Sequence, residues 1–151
     1  MSLCLHKSHN VSCLIYHIVC PTKYRHIVIS EDVDKTIKET CLEIAKRYDI
    51  RFLEIGTDKD HVHFLIQSIP NKCISDIVKI IKSITAKHIF TSHPEVKKFL
   101  WGGSLWTMGY YVNTVGQYGN LKMLENYVKN QGIPSYTQLH TELPTLFDMT
   151  V

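Results

Sequence analysis

The sequence predicts an α+β fold of the ferredoxin-like split βαβ type, in which two helices cover one face of an antiparallel sheet. One observation is the order of the segments, which reads strand, helix, hairpin, helix, strand and final helix. A second is size, because 151 residues suit one domain with a buried core. A third is composition, because a hydrophobic content of 44% favours a compact fold over disorder.

The first strand and the first helix come from the N-terminal third of the chain. The segment VSCLIYHIV (11–19) is rich in β-branched and aromatic residues, which predicts a strand. The basic turn CPTKYR then leads into a short second strand, HIVIS (26–30). Residues 31–49 change period and predict a helix with Ser30 as its N-cap. The apolar face of this helix consists of Val33, Ile37, Cys41, Ile44 and Ala45.

A hairpin, a second helix, a last strand and a third helix follow. Residues 50–57 and 61–68 predict two strands joined by the tight turn DKD. Isoleucines at helical spacing predict a helix over about residues 75–90. The stretch LWTMGYYVNTV (105–115) predicts the last strand, and LKMLENYVKNQ (121–131) predicts a short C-terminal helix.

The whole chain, residues 1–151, is predicted to be a single domain, with an irregular tail at 132–151. The five cysteines are scattered without a CxxC pair, which argues against a disulfide framework or a thiolate zinc site. No apolar stretch approaches the ~20 residues of a membrane helix, and the N-terminus lacks the layout of a secretory signal. We therefore expect a cytoplasmic protein with no membrane partner. The net charge of +3 permits a polyanionic partner without requiring one.

Two histidines begin the second strand of the hairpin. His61 and His63 lie two residues apart, so their side chains share one face of the strand. Val62, Phe64 and Ile66 alternate with them and form the face predicted to lie under the helices, which puts the imidazoles on the opposite, open face. At the rise of a strand their Cα atoms lie about 6.6 Å apart, so two ring nitrogens can bind one cation. Two solvated strand histidines would show the same spacing, and the pattern alone leaves both interpretations open.

Three further residues are candidates with weaker patterns. Asp60 precedes His61 and either supports a metal ligand or simply forms the turn. Tyr127 and Gln131 are four residues apart on the C-terminal helix and share one of its faces. A tyrosine at the edge of a helix is usually a packing residue, so this spacing does not by itself identify a nucleophile.

Basic and aromatic side chains supply candidate contacts with nucleic acid. Lys23 and Arg25 in the turn TKYR, and Lys79 and Lys82 on the second helix, could bind phosphates. Each of them is also typical of a solvated surface. The aromatic residues that could stack on unpaired bases, and that equally suit core or interface positions, are Trp101, Trp106, Tyr110 and Tyr111.

Four motifs in a fixed order carry a family resemblance. TKYR, TDKDHVHFLIQ, LWTMGYYVNTVG and LENYVKNQ together resemble the HUH transposases with a single catalytic tyrosine, which are encoded by the smallest bacterial and archaeal insertion sequences. HUH denotes histidine, bulky hydrophobic residue, histidine, and here it is His61, Val62 and His63. The resemblance covers about residues 10–131, nearly the whole chain.

The resemblance implies both an activity and the residues that perform it. It implies a metal-dependent DNA transposase that cleaves and rejoins single-stranded insertion-sequence ends with hairpins, through a 5′-phosphotyrosine intermediate. Its metal ligands would be His61, His63 and Gln131, and its nucleophile would be Tyr127. All three ligands are neutral, so a Mg²⁺ or Mn²⁺ ion keeps its full charge for the phosphate.

The resemblance also implies a homodimer in which the tyrosine helix of one chain completes the histidine site of the other. The linker GQYGN has two glycines and would let the helix dock on either chain. Other functions stay open. They are a noncatalytic nucleic-acid-binding module on the same sheet, a domesticated nuclease that acts on repeat hairpins, and a small-molecule-binding domain with a closed apolar pocket.

Overall fold

The computed structural model of the chain describes residues 4–115. The predicted C-terminal helix and tail, with Tyr127 and Gln131, lie outside the described residues. The described elements are β1 (Leu5–His6), β2 (Val11–Ser12), β3 (Leu14–Pro21), α1 (Glu31–Tyr48), β4 (Arg51–Thr57), β5 (His61–Ser68), α2 (Ile74–Ser92), α3 (Pro94–Phe99) and β6 (Tyr111–Val115).

Four of these strands form one antiparallel sheet in the order β4-β5-β3-β6, and β1 pairs with β2 in a separate two-stranded ladder. The first and third strands of the split βαβ unit, β3 and β5, are therefore the central pair. The strands that follow α1 and α2 in sequence occupy the two edges. This is the predicted fold class, which is confirmed.

The core lies between the sheet and the two long helices. Val62, Phe64 and Ile66 of β5 belong to it, as the alternation along that strand predicts. The helices contribute buried residues at helical spacing, which are Val33, Ile37, Cys41, Ile44, Ile77, Val78, Ile81 and Ile89. Both helices consequently pack on one face of the sheet. In the part of the chain that the structure describes, no helix is long and apolar enough to cross a membrane.

The start of α1 agrees with the predicted cap. The Ser30 side chain accepts a hydrogen bond from the backbone N–H of Val33 at 3.3 Å, and acidic residues occupy the first turn. Asp49 ends the helix in the left-handed conformation, with φ of 56°. The chain can therefore reverse directly into β4.

The predicted strand at residues 26–30 is wrong. The backbone N–H groups of Val28 and Ile29 both donate to the carbonyl of Lys59, at 3.2 and 3.1 Å. This segment is extended, but it is fastened to one carbonyl of the hairpin turn and does not form a ladder. The strand predicted at residues 11–19 is divided into β2 and β3, and β3 continues to Pro21. The last strand is shorter than predicted, because β6 begins at Tyr111.

Candidate functional site

The two histidines of the HxH pair lie side by side at the beginning of β5. Its register with β3 pairs His61 with Pro21 and His63 with Val19. The two imidazole ring centroids are 4.9 Å apart, and the ring planes are inclined by 71°. Neighbouring strand positions therefore place two nitrogen-bearing rings within reach of a common ligand.

The sheet face that carries the histidines is less open than predicted. His63 is only 3% exposed, and Leu65 and Gln67 further along β5 are buried as well. Side chains of neighbouring strands contribute to this burial, because the ring of His17 on β3 stacks on His63. Leu65 packs with Ile15 and Val115 in a second apolar cluster on this face. His61, at the end of the strand, keeps a partly exposed side chain.

Asp60 and Arg25 orient the ring of His61 through successive polar contacts. Its Nδ1 lies 2.7 Å from Oδ1 of Asp60, and Oδ2 of Asp60 accepts a hydrogen bond from Nε of Arg25 at 3.0 Å. Burial by itself raises the pKa of the Asp60 carboxyl, but the hydrogen bonds from His61 and Arg25 outweigh it and hold that pKa below its ordinary value. Asp60 is therefore an anion that orients His61, with its charge balanced by Arg25.

A buried neighbour holds the ring of His63. Nδ1 of His63 lies 2.9 Å from Nε2 of His17 on β3, and the two rings stack with centroids 5.1 Å apart and planes 8° apart. Burial lowers the pKa of His17, and the Asn113 side chain on β6 opposes that shift. His17 was not among the residues that the sequence singled out. The available signal was a polar ring between the apolar residues Tyr16 and Ile18 of a predicted strand.

The donor set fits a divalent cation. Each Nδ1 of the HxH pair already has a protein partner, so a cation shared by both rings would bind through their Nε2 atoms. Metal-binding imidazoles ordinarily bond their second nitrogen in this way. Neutral imidazole nitrogens together with an oxygen donor are a ligand set that divalent cations accept. Gln131, the amide donor that the resemblance implies, lies outside the described residues.

A second arrangement of possible ligands lies in the adjoining turn. Asp58, Asp60 and His61 bring ligand atoms within 4.8 Å of one another. Both Asp60 oxygens already have partners in His61 and Arg25, and Oδ1 of Asp58 accepts a hydrogen bond from the backbone N–H of Lys59 at 2.7 Å. These carboxylates are therefore already used in building the turn and supporting His61.

The basic turn TKYR packs against the same hairpin turn. Lys23–Arg25 form a 3₁₀ turn in which Tyr24 and Arg25 are left-handed, with φ of 54° and 56°. Thr22 fastens it, because its backbone N–H and its hydroxyl both donate to the carbonyl of Asp60, at 2.9 and 3.0 Å. The turn thereby places the Arg25 guanidinium beside Asp60. The Lys23 ammonium lies 5.2 Å from the centre of the Tyr24 ring.

Lys79 and Lys82 of α2 line a groove of about 680 Å³ between that helix and the loop before β6. Nζ of Lys82 donates to the carbonyls of Thr107, Met108 and Gly109, at 2.7, 3.3 and 2.8 Å. Burial lowers the pKa of Lys82. Lys82 therefore holds this loop, whereas the exposed Lys79 faces the groove without such a contact being present among the described residues.

The aromatic candidates divide by burial. Trp106 is buried, and its Nε1 donates to the hydroxyl of Thr85 at 3.0 Å, so it belongs to the core. Trp101 is 96% exposed in a left-handed conformation. Tyr111 is exposed and lies edge-on to His17, with ring centroids 6.3 Å apart. Tyr110 is exposed as well, and the Lys82 ammonium lies 5.5 Å from the centre of its ring. Stacking on bases remains a prediction for these three exposed rings.

The chain is similar to known transposases along most of its length. The family model described as "Transposase IS200 like" matches residues 10–131. The ISDra2 transposase TnpA of Deinococcus radiodurans is 32% identical over 118 residues, which cover 78% of this chain and 84% of the relative. The IS200 transposase of Salmonella typhimurium is 26% identical over 116 residues, which cover 77% of this chain and 75% of the relative.

Solved structures agree with these sequence matches. A transposase crystal structure from Deinococcus radiodurans superposes with a TM-score of 0.69 at 31% identity, and the match covers 85% of this chain and 98% of that one. A REP-associated tyrosine transposase bound to a REP hairpin superposes with a TM-score of 0.54 at 10% identity, covering 85% of this chain and 69% of that one. At 10% identity, the second match shows a shared fold and nothing more.

Proposed function

This chain belongs to the family of IS200-like transposases, and from that premise we propose that it cleaves and rejoins single-stranded insertion-sequence ends through a 5′-phosphotyrosine intermediate. The observation that carries the proposal is the HxH pair. Two adjacent imidazoles each have Nδ1 bonded within the protein, which prepares both rings to bind one cation through Nε2. A solvated pair of strand histidines would need neither Asp60 nor His17 in those places.

We infer that His61, His63 and Gln131 hold a Mg²⁺ or Mn²⁺ ion. When bound, such an ion withdraws negative charge from a phosphate oxygen and so lowers the barrier to nucleophilic attack. The two histidines lie on β5, one of the two central strands of the sheet, and hydrogen bonds with Asp60 and His17 orient their rings. Preorganised ligands do not have to be reordered during the reaction.

Tyr127 is the proposed nucleophile. Its phenolic oxygen attacks the phosphorus and loses its proton, while the bond from phosphorus to the 3′ oxygen breaks. The leaving 3′ oxygen takes up a proton. The products are a 5′-phosphate ester on Tyr127 and a strand with a free 3′-hydroxyl. A 3′-hydroxyl can attack the ester in the reverse sense, so the energy of the first bond is kept and strands are exchanged without ATP.

The proposed substrate is single-stranded DNA with hairpin ends, and the proposed catalytic unit is a homodimer of the single domain formed by residues 1–151. A transposase of the same fold has been solved bound to a REP hairpin. The resemblance to single-tyrosine HUH enzymes and the glycine-containing linker GQYGN support active sites shared between chains. Because the substrate is cellular DNA, we infer action in the cytoplasm.

The decisive experiment detects the covalent intermediate. Single-stranded oligonucleotides from both insertion-sequence ends, labelled downstream of the cleavage point, are incubated with the full-length chain and Mn²⁺ and separated on a denaturing gel. We expect a protein–DNA adduct with the wild type and none with Tyr127→Phe, which removes one oxygen and keeps the ring. An adduct that persists in Tyr127→Phe would contradict the assignment of the nucleophile.

The same oligonucleotides separate the alternative functions when a binding assay under native conditions is run beside the gel. Salt-sensitive DNA binding without any adduct would indicate a noncatalytic binding module. Cleavage of repeat hairpins without rejoining to a second strand would indicate a domesticated nuclease. No DNA affinity at all would leave the small-molecule-binding domain.

A further inference from the structure

A third histidine lies against the candidate metal site. His17 is on β3, where the register pairs Val19 with His63 and His17 with Leu65. Paired residues of adjacent strands point to the same face, so His17 is a diagonal neighbour of His63 on the face that carries the HxH pair. Both side chains are buried, at 4% and 3% exposure.

The contact between the two rings is specific at the level of atoms. Nε2 of His17 and Nδ1 of His63 are 2.9 Å apart, which is a hydrogen-bond distance. Between two neutral imidazoles one nitrogen must be the donor and the other the acceptor. The direction of this bond therefore decides where the proton of His63 lies, and hence which of its nitrogens has a lone pair for a ligand.

The contact between His61 and Asp60 indicates which ring must be the donor in the hydrogen bond between His63 and His17. The Asp60 carboxylate only accepts hydrogen bonds, so His61 carries its proton on Nδ1 and presents the lone pair of Nε2. For both rings to bind the same cation through Nε2, His63 must have the same tautomer. His17 can enforce it by accepting through Nε2, as a neutral ring with its own proton on Nδ1, on the side of Asn113, its partner in the register with β6.

We propose that His17 is the positioning residue for His63, accepting the Nδ1 proton of that ring and thereby fixing the tautomer and orientation in which His63 Nε2 binds a divalent cation. This inference rests on the proposed function, because it presumes that His63 is a metal ligand. It extends the site from β5 to a second strand, since β3 carries a residue that acts through His63. Loss of such a partner typically lowers metal affinity about 10–100-fold.

The test compares three substitutions in the full-length chain. His17→Leu removes the acceptor and puts an apolar side chain of similar size in its place. His17→Gln keeps an acceptor in its side-chain carbonyl. Ile15→Ala is the matched control, because Ile15 is a buried residue on the same face of β3 and packs with Leu65 and Val115. It weakens packing without removing an acceptor for His63.

Two measurements without DNA are made on each variant. Mn²⁺ affinity is obtained by titration, following the signal of free Mn²⁺ by electron paramagnetic resonance. The tautomer of His63 is obtained from long-range ¹H–¹⁵N correlations of the metal-free, histidine-labelled chain, with His63 assigned through the loss of its signals in His63→Gln. We expect the Nδ1–H tautomer in the wild type, a 10–100-fold loss of affinity in His17→Leu, substantial recovery in His17→Gln and wild-type affinity in Ile15→Ala.

Either of two results would overturn the inference. One is an Nε2–H tautomer of His63 in the wild type, which is measurable even where a variant does not fold. The other is an unchanged Mn²⁺ affinity in His17→Leu. The phosphotyrosine adduct is assayed separately. A wild type that binds Mn²⁺ as expected but forms no adduct would refute the proposed DNA chemistry and leave the role of His17 standing. A wild type that forms the adduct, together with an unchanged Mn²⁺ affinity in His17→Leu, would refute the role of His17 and leave the DNA chemistry standing.

Discussion

Each imidazole of the HxH pair has a partner of a different chemical kind. His61 bonds to a carboxylate anion that Arg25 neutralises, and His63 bonds to a neutral, buried ring. A carboxylate partner raises the basicity of the ligand as well as orienting it, whereas a neutral partner orients the ring. At the residue scale the two ligands are therefore expected to respond differently to loss of their partners.

Asp60→Asn tests the charged partner. The amide keeps the shape of the side chain, but it loses the anion that orients His61, so Mn²⁺ affinity should fall about 10–100-fold. The matched control is Asp58→Asn in the same turn, whose Oδ1 accepts only the backbone N–H of Lys59 among the described contacts. Calorimetric or spectroscopic titration with Mn²⁺ gives both affinities.

The control also decides between two arrangements of ligands. If Asp58, Asp60 and His61 themselves held the ion, Asp58→Asn would lower the affinity as much as Asp60→Asn. Equal losses in the two variants would therefore move the metal from the HxH pair to the turn.

At the scale of elements, helix α2 holds the loop that leads into β6. Lys82 spans the groove and donates to three consecutive carbonyls, while its ammonium lies 5.5 Å from the centre of the Tyr110 ring. Lys79 lies one turn earlier on the same helix and is exposed. Two lysines that look alike in the sequence thus have different surroundings, and their substitution should have different consequences.

Lys82→Met should lower the free energy of unfolding by about 1–2 kcal/mol, because three hydrogen bonds from a charged donor are lost, one of them at the partly buried carbonyl of Thr107. Lys79→Met should leave stability unchanged and, if this lysine binds a phosphate, reduce the slope of log affinity against log salt by about 0.7 for single-stranded DNA. Urea denaturation and salt-dependent binding measure the two effects. A loss of stability in Lys79→Met equal to that in Lys82→Met would refute the distinction.

At the scale of the whole molecule, the proposed homodimer predicts that each active site takes Tyr127 from the partner chain. We call the helices crossed when the tyrosine helix of each chain docks on the histidine site of its partner. In such a dimer, mixing Tyr127→Phe chains with His61→Ala chains creates one site with both defects and one intact site. We therefore expect part of the cleavage activity to return in the mixture, although each variant alone is inactive. The measurement is adduct formation by verified heterodimers, carried out with differently tagged chains.

With uncrossed helices every site in such a heterodimer keeps one defect. Failure of the mixture to cleave would then mean that each active site is assembled within one chain. Mixing two batches of Tyr127→Phe carrying the two tags is the control, and it should remain inactive under either arrangement.

What the sequence determined by itself is local. The alternation along β5 placed Val62, Phe64 and Ile66 in the core and His61 and His63 on the other face, because successive strand residues point to opposite sides. The helical period and the serine before α1 likewise predicted a capped, one-sided helix. These features depend only on spacing within one element, and the order of the elements was enough to predict the fold class.

What only the tertiary structure decided depends on which strands are neighbours and in what register. His17 and His63 are 46 residues apart, and they meet because β3 and β5 are adjacent and paired with Val19 opposite His63. Arg25 reaches Asp60 through a turn that is fastened to the hairpin. No local period carries that information, because a strand pattern shows which face a residue occupies but not which residue lies beside it. Side chains of the neighbouring strands, His17 among them, also help to bury His63, which the pattern of β5 alone had placed on an open face.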